Sequence, residues 1–231
     1  MNTFLAILKM NLVKIEKSIA KILKTLPADV LLVAASKTRT PEEVQAAISA
    51  GIEITGYNYL QEAERMYQTI GNVVQWHMIG HLQRNKVKRA VRLFDMIETI
   101  DSVQLAEMVD KQCTLENKIM PVLIEINSGK ESNKTGVLPK DVDDLIVKIS
   151  DLPNLHVQGL MTMGPRFGNP EDARLYFKAT KKAFDRLKKL DVPNVEMKYL
   201  SMGMSSSYKI AIEEGANIIR IGTELFEERN T

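Results

Sequence analysis

Leu31-Leu32-Val33-Ala34-Ala35-Ser36-Lys37-Thr38 is the stretch on which the fold turns. Its first five residues are apolar, as in a strand covered on both faces, and Pro41-Glu42-Glu43 then opens a helical pattern. This unit of apolar run, loop and amphipathic helix recurs along the chain. Strands are expected at 31–35, 53–56, 73–79, 96–100, 119–126, 155–161, 195–200 and 217–221. Helices are expected at 41–50, 58–70, 82–93, 101–113, 139–150, 171–190 and 205–214, with a stub at 224–229. A further amphipathic helix comes first, with Leu5, Leu8, Leu12, Ile15, Ile19 and Ile22 at helical spacing before Pro27 stops it. Asn58 and Asp101-Ser102 are placed to cap the helices that follow them. Strict β-α alternation argues for a parallel sheet, and eight repeats argue for closure into a single (β/α)8 TIM barrel with an extra N-terminal helix. An open doubly wound sheet is the alternative, weakened because no Gly-x-Gly-x-x-Gly follows the first strand. No linker or low-complexity tract divides the chain, so residues 1–231 read as one domain.

Composition narrows the class. Apolar residues make up 45% and charged residues 26%, enough for a sizeable core, and a formal charge of +2 argues for neither nucleic acid nor membrane as a partner. Cys113 is the only cysteine, which favours a reducing compartment, and its spacing from Leu105 and Val109 marks it as a buried small hydrophobe. No apolar run approaches the roughly 20 residues that span a bilayer. The amphipathic start carries Glu16 among its lysines and no cleavage-like site, as expected of an ordinary helix on a cytoplasmic protein.

Lys37 falls at the carboxyl end of the first strand, the end where barrel sites lie. Burial beside apolar walls would lower the pKa of its amine, and a neutral amine can form a Schiff base with a carbonyl compound. The plainer reading is a lysine whose head reaches solvent. The loops after strands seven and eight tilt the balance. Ser201-Met202-Gly203-Met204-Ser205-Ser206 and Arg220-Ile221-Gly222-Thr223 each combine glycine, hydroxyls and a helix start, the makings of a phosphate site. Barrel closure would set strand eight beside strand one and Lys37 beside that anion site. A Schiff-base lysine beside a phosphate cradle points to two ligand classes, a sugar phosphate as in an aldolase or pyridoxal phosphate (PLP). Arg220, inside an otherwise apolar strand, needs an acceptor; a pyridine nitrogen would serve, and so would a carboxylate such as Glu224.

With its surroundings included, the chain resembles the pyridoxal phosphate homeostasis proteins. The matching segments are Ala-Ala-Ser-Lys-Thr at 34–38, Gly-Tyr-Asn-Tyr-Leu-Gln-Glu at 56–62, Trp-His-Met-Ile-Gly-His-Leu-Gln-Arg-Asn-Lys at 76–86, Gly-Leu-Met-Thr-Met at 159–163, Leu-Ser-Met-Gly-Met-Ser at 200–205 and Arg-Ile-Gly-Thr at 220–223. The resemblance implies a barrel like the alanine racemase amino-terminal domain, with PLP held as a covalent aldimine on Lys37. It implies Ser201, Gly222 and Thr223 on the phosphate, Arg220 near the pyridine nitrogen, Asn58 and Met204 along the ring, and His81 near the site. The sequence departs from the family pattern at Tyr57, where the family usually has glutamate, and near Ser207, where it usually has an acidic residue.

Chemistry and resemblance together favour a PLP buffer or carrier that serves PLP-dependent apoenzymes, as a monomer, over a committed catalyst. A racemase needs an acid and a base on opposite faces of the substrate carbon, and only Glu224 to Thr231 follows Thr223, too little for the second domain that racemases use. An arginine at the ring nitrogen also disfavours its protonation and weakens the ring as an electron sink. Tyr57 or Tyr59 could still donate a second proton, which keeps a weak amino-acid racemase as the alternative. His77 and His81 are separated by Gly80 and do not share a helical face, which argues against zinc. The basic run Arg84, Lys86, Lys88, Arg89, Arg92 reads as a solvated helix face.

Overall fold

The eight apolar runs form strands β1 (Leu31–Ala35), β2 (Ile54–Tyr57), β3 (Gln75–Met78), β4 (Met96–Ile100), β5 (Met120–Ile126), β6 (Leu155–Thr162), β7 (Val195–Ser201) and β8 (Ile218–Ile221). They pair in parallel and in chain order, and β8 returns to β1 through Leu31↔Ile218 and Val33↔Arg220, closing the barrel. That pairing excludes the open sheet. The structure, a computed structural model, describes residues 2–131, 134–165 and 168–226, with side chains from residue 9 onward.

Helices α1 (Asn2–Leu23), α2 (Pro41–Ser49), α3 (Leu60–Ile70), α4 (Val87–Leu93), α5 (Val103–Glu116), α6 (Val142–Ile149), α7 (Ala173–Leu187), α8 (Tyr208–Glu213) and α9 (Thr223–Phe226) surround it. α1 precedes the barrel as the extra helix and buries Ile15, Ile19 and Ile22. Residues 227–229 of the expected final stub lie outside the described residues.

Several helices start later than their patterns predict, for local reasons. Leu82 is buried, but Arg84–Lys86 form a single 3-10 turn before α4. Residues 205–207 form a turn rather than the first turn of α8. Asn58 does not cap α3. The cap position is Tyr59, without a side-chain bond, so Asn58 stands outside the helix. Ser102 does cap α5, accepting from the Leu105 N–H at 3.4 Å.

Strand alternation divides the interior into two cores. The outer core, between barrel and helices, holds Tyr57, Trp76, Phe94, Phe177 and Cys113. Burial pushes the Cys113 thiol up to about 11. The lumen core is smaller: Val33, Ile54, Ile79, Met96, Leu123, Met161 and Ile218. Between and above these lumen residues the same alternation places His77, Glu98, Glu125, Ser201 and Arg220. The basic run is largely spent on neighbours. Arg84 donates to Gln104, Lys86 to Gln61, Arg89 to Glu64 and Arg92 to Glu116, which ties the α4 segment to α3 and α5.

Candidate functional site

Parity brings most of the expected site together. Leu31, Val33 and Ala35 pack on the lumen cluster, so Lys37, two residues on, leaves β1 on the lumen side. Ser36 takes the other side, accepting from Thr55 Oγ1 at 2.8 Å in the outer core. By the same count Asn58 continues from Ile54 and Gly56, His81 from Ile79, and Gly222 from Ile218 and Arg220. All leave their strands at the carboxyl end of the barrel.

The turn that carries Lys37 is held from both sides. Arg39 N donates to Ser36 O at 3.2 Å, and Thr38 sits at φ 62°, a left-handed conformation uncommon for a β-branched residue. Thr40 and Glu43 then form a capping box that fixes the start of α2, with Thr40 N donating to Glu43 Oε2 at 2.7 Å. Lys37 itself is exposed rather than buried beside apolar walls, as in the plainer reading of the sequence. Gly80 packs hard against Asn58, since a Cβ there would lie 2.4 Å from Asn58 O. His81 is exposed, with Nδ1 3.6 Å from Asp101 Oδ2.

Across the β7–β8 seam the loops build a small polar cradle. Gly222 N and Glu224 N both donate to Ser205 Oγ, at the long distances of 3.4 and 3.5 Å. Gly203 has φ 90°, and a Cβ there would come within 2.6 Å of Ala211 Cβ, so this glycine lets the β7 loop lie against α8. Met204 is half-buried, and Thr223 is exposed at the edge of the cradle. Ser207 is buried and accepts from Met204 N at 3.3 Å, so where the family usually has an acid this chain makes a local turn bond.

Ser201 is committed elsewhere. Its Oγ donates to Glu98 Oε2 at 2.6 Å and accepts from Arg220 Nη1 at 2.5 Å, rather than bonding the Gly222 and Glu224 amides. Arg220 also donates from Nη2 to Thr162 O at 2.9 Å. Its carboxylate partner is Glu98, at 3.9 Å, and not Glu224. Glu98 Oε1 lies 2.8 Å from His77 Nδ1. Burial pushes the Glu98 carboxyl up, but His77, Arg220 and Ser201 outweigh it and hold the group below its ordinary value. Glu125 goes the other way: burial raises it, and among the described residues only its Oε1 has a partner, accepting from Thr135 Oγ1 at 2.9 Å. Sequence reasoning missed Glu98 and Glu125. Each is a charged residue inside an apolar strand, the signal that also marks Arg220.

Tyr57 is removed from the site. It points into the outer core, stacked on Trp76 at 5.6 Å between ring centroids, and burial pushes its hydroxyl up to about 12. It cannot present a proton donor to the mouth.

Comparison with known proteins agrees with the barrel fold. The alanine racemase N-terminal domain family matches residues 10–229. The pyridoxal phosphate homeostasis protein of Aquifex aeolicus is 41% identical over 199 residues, covering 86% of each chain. That of Vibrio alginolyticus is 35% identical over 209 residues, covering 88% of each. PipY of Synechococcus elongatus PCC7942 superposes with a TM-score of 0.87 without PLP and 0.84 with PLP bound. Both PipY structures are 31% identical and cover 92% of this chain and 99% of PipY. Alanine racemase of Clostridium difficile 630 shares the fold, with a TM-score of 0.71 at 14% identity over 57% of its length. The chain belongs to the pyridoxal phosphate homeostasis protein family, on the alanine racemase N-terminal barrel.

Proposed function

We propose that this chain binds PLP at the carboxyl mouth of the barrel, covalently through Lys37, and holds it as an intracellular buffer or carrier for PLP-dependent apoenzymes. The observation that carries the reading is convergence. Lys37, Asn58, His81 and Gly222 leave their strands on the lumen side at one end, with Arg220 in β8 beneath them and the Gly222 amide bonded to the Ser205 hydroxyl. That a relative, PipY, binds PLP supports the choice of ligand.

The donor set suits the group. A phosphate would take the place of Ser205 Oγ as acceptor for the Gly222 and Glu224 N–H groups, with the serine hydroxyl turned to donate; bonds from amides to an anion are the strong kind. Thr223 adds a hydroxyl at the same edge. Asn58 and Met204, both half-buried, would flank the ring. Arg220 makes bonds through Nη1 and Nη2 to Ser201 and Thr162, which leaves part of a guanidinium's five donors for a ligand acceptor. When bound, PLP supplies an aldehyde carbon and a ring that can absorb electrons. Lys37 would be the residue to hold that carbon, since an amine can join an aldehyde through a C=N bond with loss of its oxygen as water. Because Lys37 is exposed, its reactivity rests on position, with the cradle holding the aldehyde within reach.

The carrier role rests on what faces the mouth. With Tyr57 turned away and Tyr59 60% exposed, neither tyrosine is fixed opposite Lys37 as a second acid. A reducing setting fits the single buried thiol. The test is the visible spectrum of the protein mixed with PLP. Wild type should develop the absorbance of a lysine adduct and Lys37→Ala should not, and chiral amino acids should keep their configuration over prolonged incubation with the loaded protein. Identical spectra for the two proteins would refute the lysine assignment, and net racemisation would refute the carrier.

A further inference from the structure

Beneath the mouth, a chain of buried side chains crosses the lumen from β3 to β8. His77 Nδ1 meets Glu98 Oε1 at 2.8 Å, Ser201 Oγ donates to Glu98 Oε2 at 2.6 Å, and Arg220 Nη1 donates to Ser201 Oγ at 2.5 Å. We propose that Glu98 is a positioning residue: through Ser201 it sets the plane of the Arg220 guanidinium, with His77 fixing Glu98, so that the remaining donors face a heteroaromatic ring nitrogen. The proposal rests on the PLP reading above and adds what orients Arg220 toward the ring.

A guanidinium is a planar, rigid fork, so two anchored nitrogens define its plane. Here the anchors are Ser201 Oγ and the Thr162 carbonyl, on β7 and β6. Glu98 is fully buried, and both its oxygens are engaged, so it has one orientation to impose. The neighbouring carboxyl, Glu125, is also buried but keeps Oε2 without a partner, and no bond joins it to Arg220 among the described residues. Two carboxyls therefore flank one arginine, and only Glu98 is wired to it. A purely structural role for Glu98, as counter-charge for a buried cation, would need no hydroxyl between them. Arg220 Nη1 and Glu98 Oε2 attract across 3.9 Å, but the hydrogen bonds between them run through Ser201, and hydrogen bonds carry the direction that charge attraction lacks.

The test compares equilibrium binding of PLP and of its 1-deaza analogue, in which the ring nitrogen is a CH group, with each read from the absorbance of the lysine adduct. Wild type should prefer PLP by about tenfold or more, the worth of one hydrogen bond to a charged group. Glu98→Gln should bring that preference close to one while leaving the affinity for the deaza analogue nearly unchanged, and Glu98→Asp should restore part of it. Ser201→Ala keeps both charges and removes only the bridge, so it should lose the preference as well, and it serves if Glu98→Gln does not fold. An unchanged preference in Ser201→Ala or in folded Glu98→Gln overturns the proposal. So does a wild type that binds both ligands equally, although PLP binding itself would stand. A wild type that binds neither ligand overturns the PLP reading together with the inference built on it.

Discussion

The lumen and the outer core are built from the same strands, on alternate residues, and they obey opposite rules. The outer core is large and apolar. Trp76 is fully buried there, stacked on Tyr57 and met edge-on by Tyr67 at 5.2 Å, with Nε1 donating to Gly71 O at 3.2 Å. The lumen pairs a small apolar cluster with buried His77, Glu98, Glu125, Ser201 and Arg220. Burying charge costs free energy unless it is paired, so a fold with no other use for its lumen would fill it with valine and isoleucine. One face of each strand thus holds the barrel together, and the other leads to the mouth where Lys37 and Gly222 lie.

If that division is real, substitutions should sort by face. Trp76→Ala should cost about 3–5 kcal/mol in denaturant unfolding, with PLP affinity of the folded fraction unchanged; a large loss of affinity would break the division. Ser205→Ala should do the reverse. It should weaken PLP binding by about 1.5–3 kcal/mol, the range for a hydrogen bond to a charged group, while its unfolding midpoint stays near wild type.

A finer contrast lies within the lumen. Glu125 is raised in the folded state, so its stabilising contribution is present below its unfolded value of about 4.3 and lost as pH rises through the folded value. Glu125→Gln should therefore be more stable than wild type at neutral pH, by about 1–2 kcal/mol, and the gap should close in acid. Glu98 is lowered, so its contribution is present above that unfolded value and lost as pH falls through the folded one. Unfolding midpoints measured from acid to neutral pH check both signs. The smallest effect belongs to the outer core: Tyr57→Phe removes a buried hydroxyl without a partner and should leave stability equal or higher by about 1 kcal/mol.

The division also explains what could be read from the chain. Eight apolar runs followed by helices declare the barrel, because each strand must be covered on both faces, and Lys37, Arg220 and the β7 and β8 loops stand at strand ends where barrel sites lie. A carboxylate inside Met-Ile-Glu-Thr-Ile marks Glu98 as unusual, but its place in the site was not legible, because its hydroxyl partner Ser201 lies 103 residues away. The role of Ser201 was obscured for the same reason, since a serine beside a glycine-rich loop looks like a phosphate ligand until the cross-barrel partner is seen. Local pattern reads Asn58 as a helix cap, and only the family resemblance sets it along the ring; the cap reading fails because Asn58 stands outside the helix, with Gly80 packed against it. The exposure of Lys37 follows from the tight turn at 36–39, which apolar periodicity does not encode.

The central claim is that the mouth delivers one amine to the ligand's aldehyde, and chemical trapping tests it most directly. The protein is mixed with PLP, reduced with borohydride, digested, and its peptides are mapped by mass. The account predicts a single phosphopyridoxyl modification, on the peptide carrying Lys37. Label on another lysine in preference to Lys37, or on none, would contradict it.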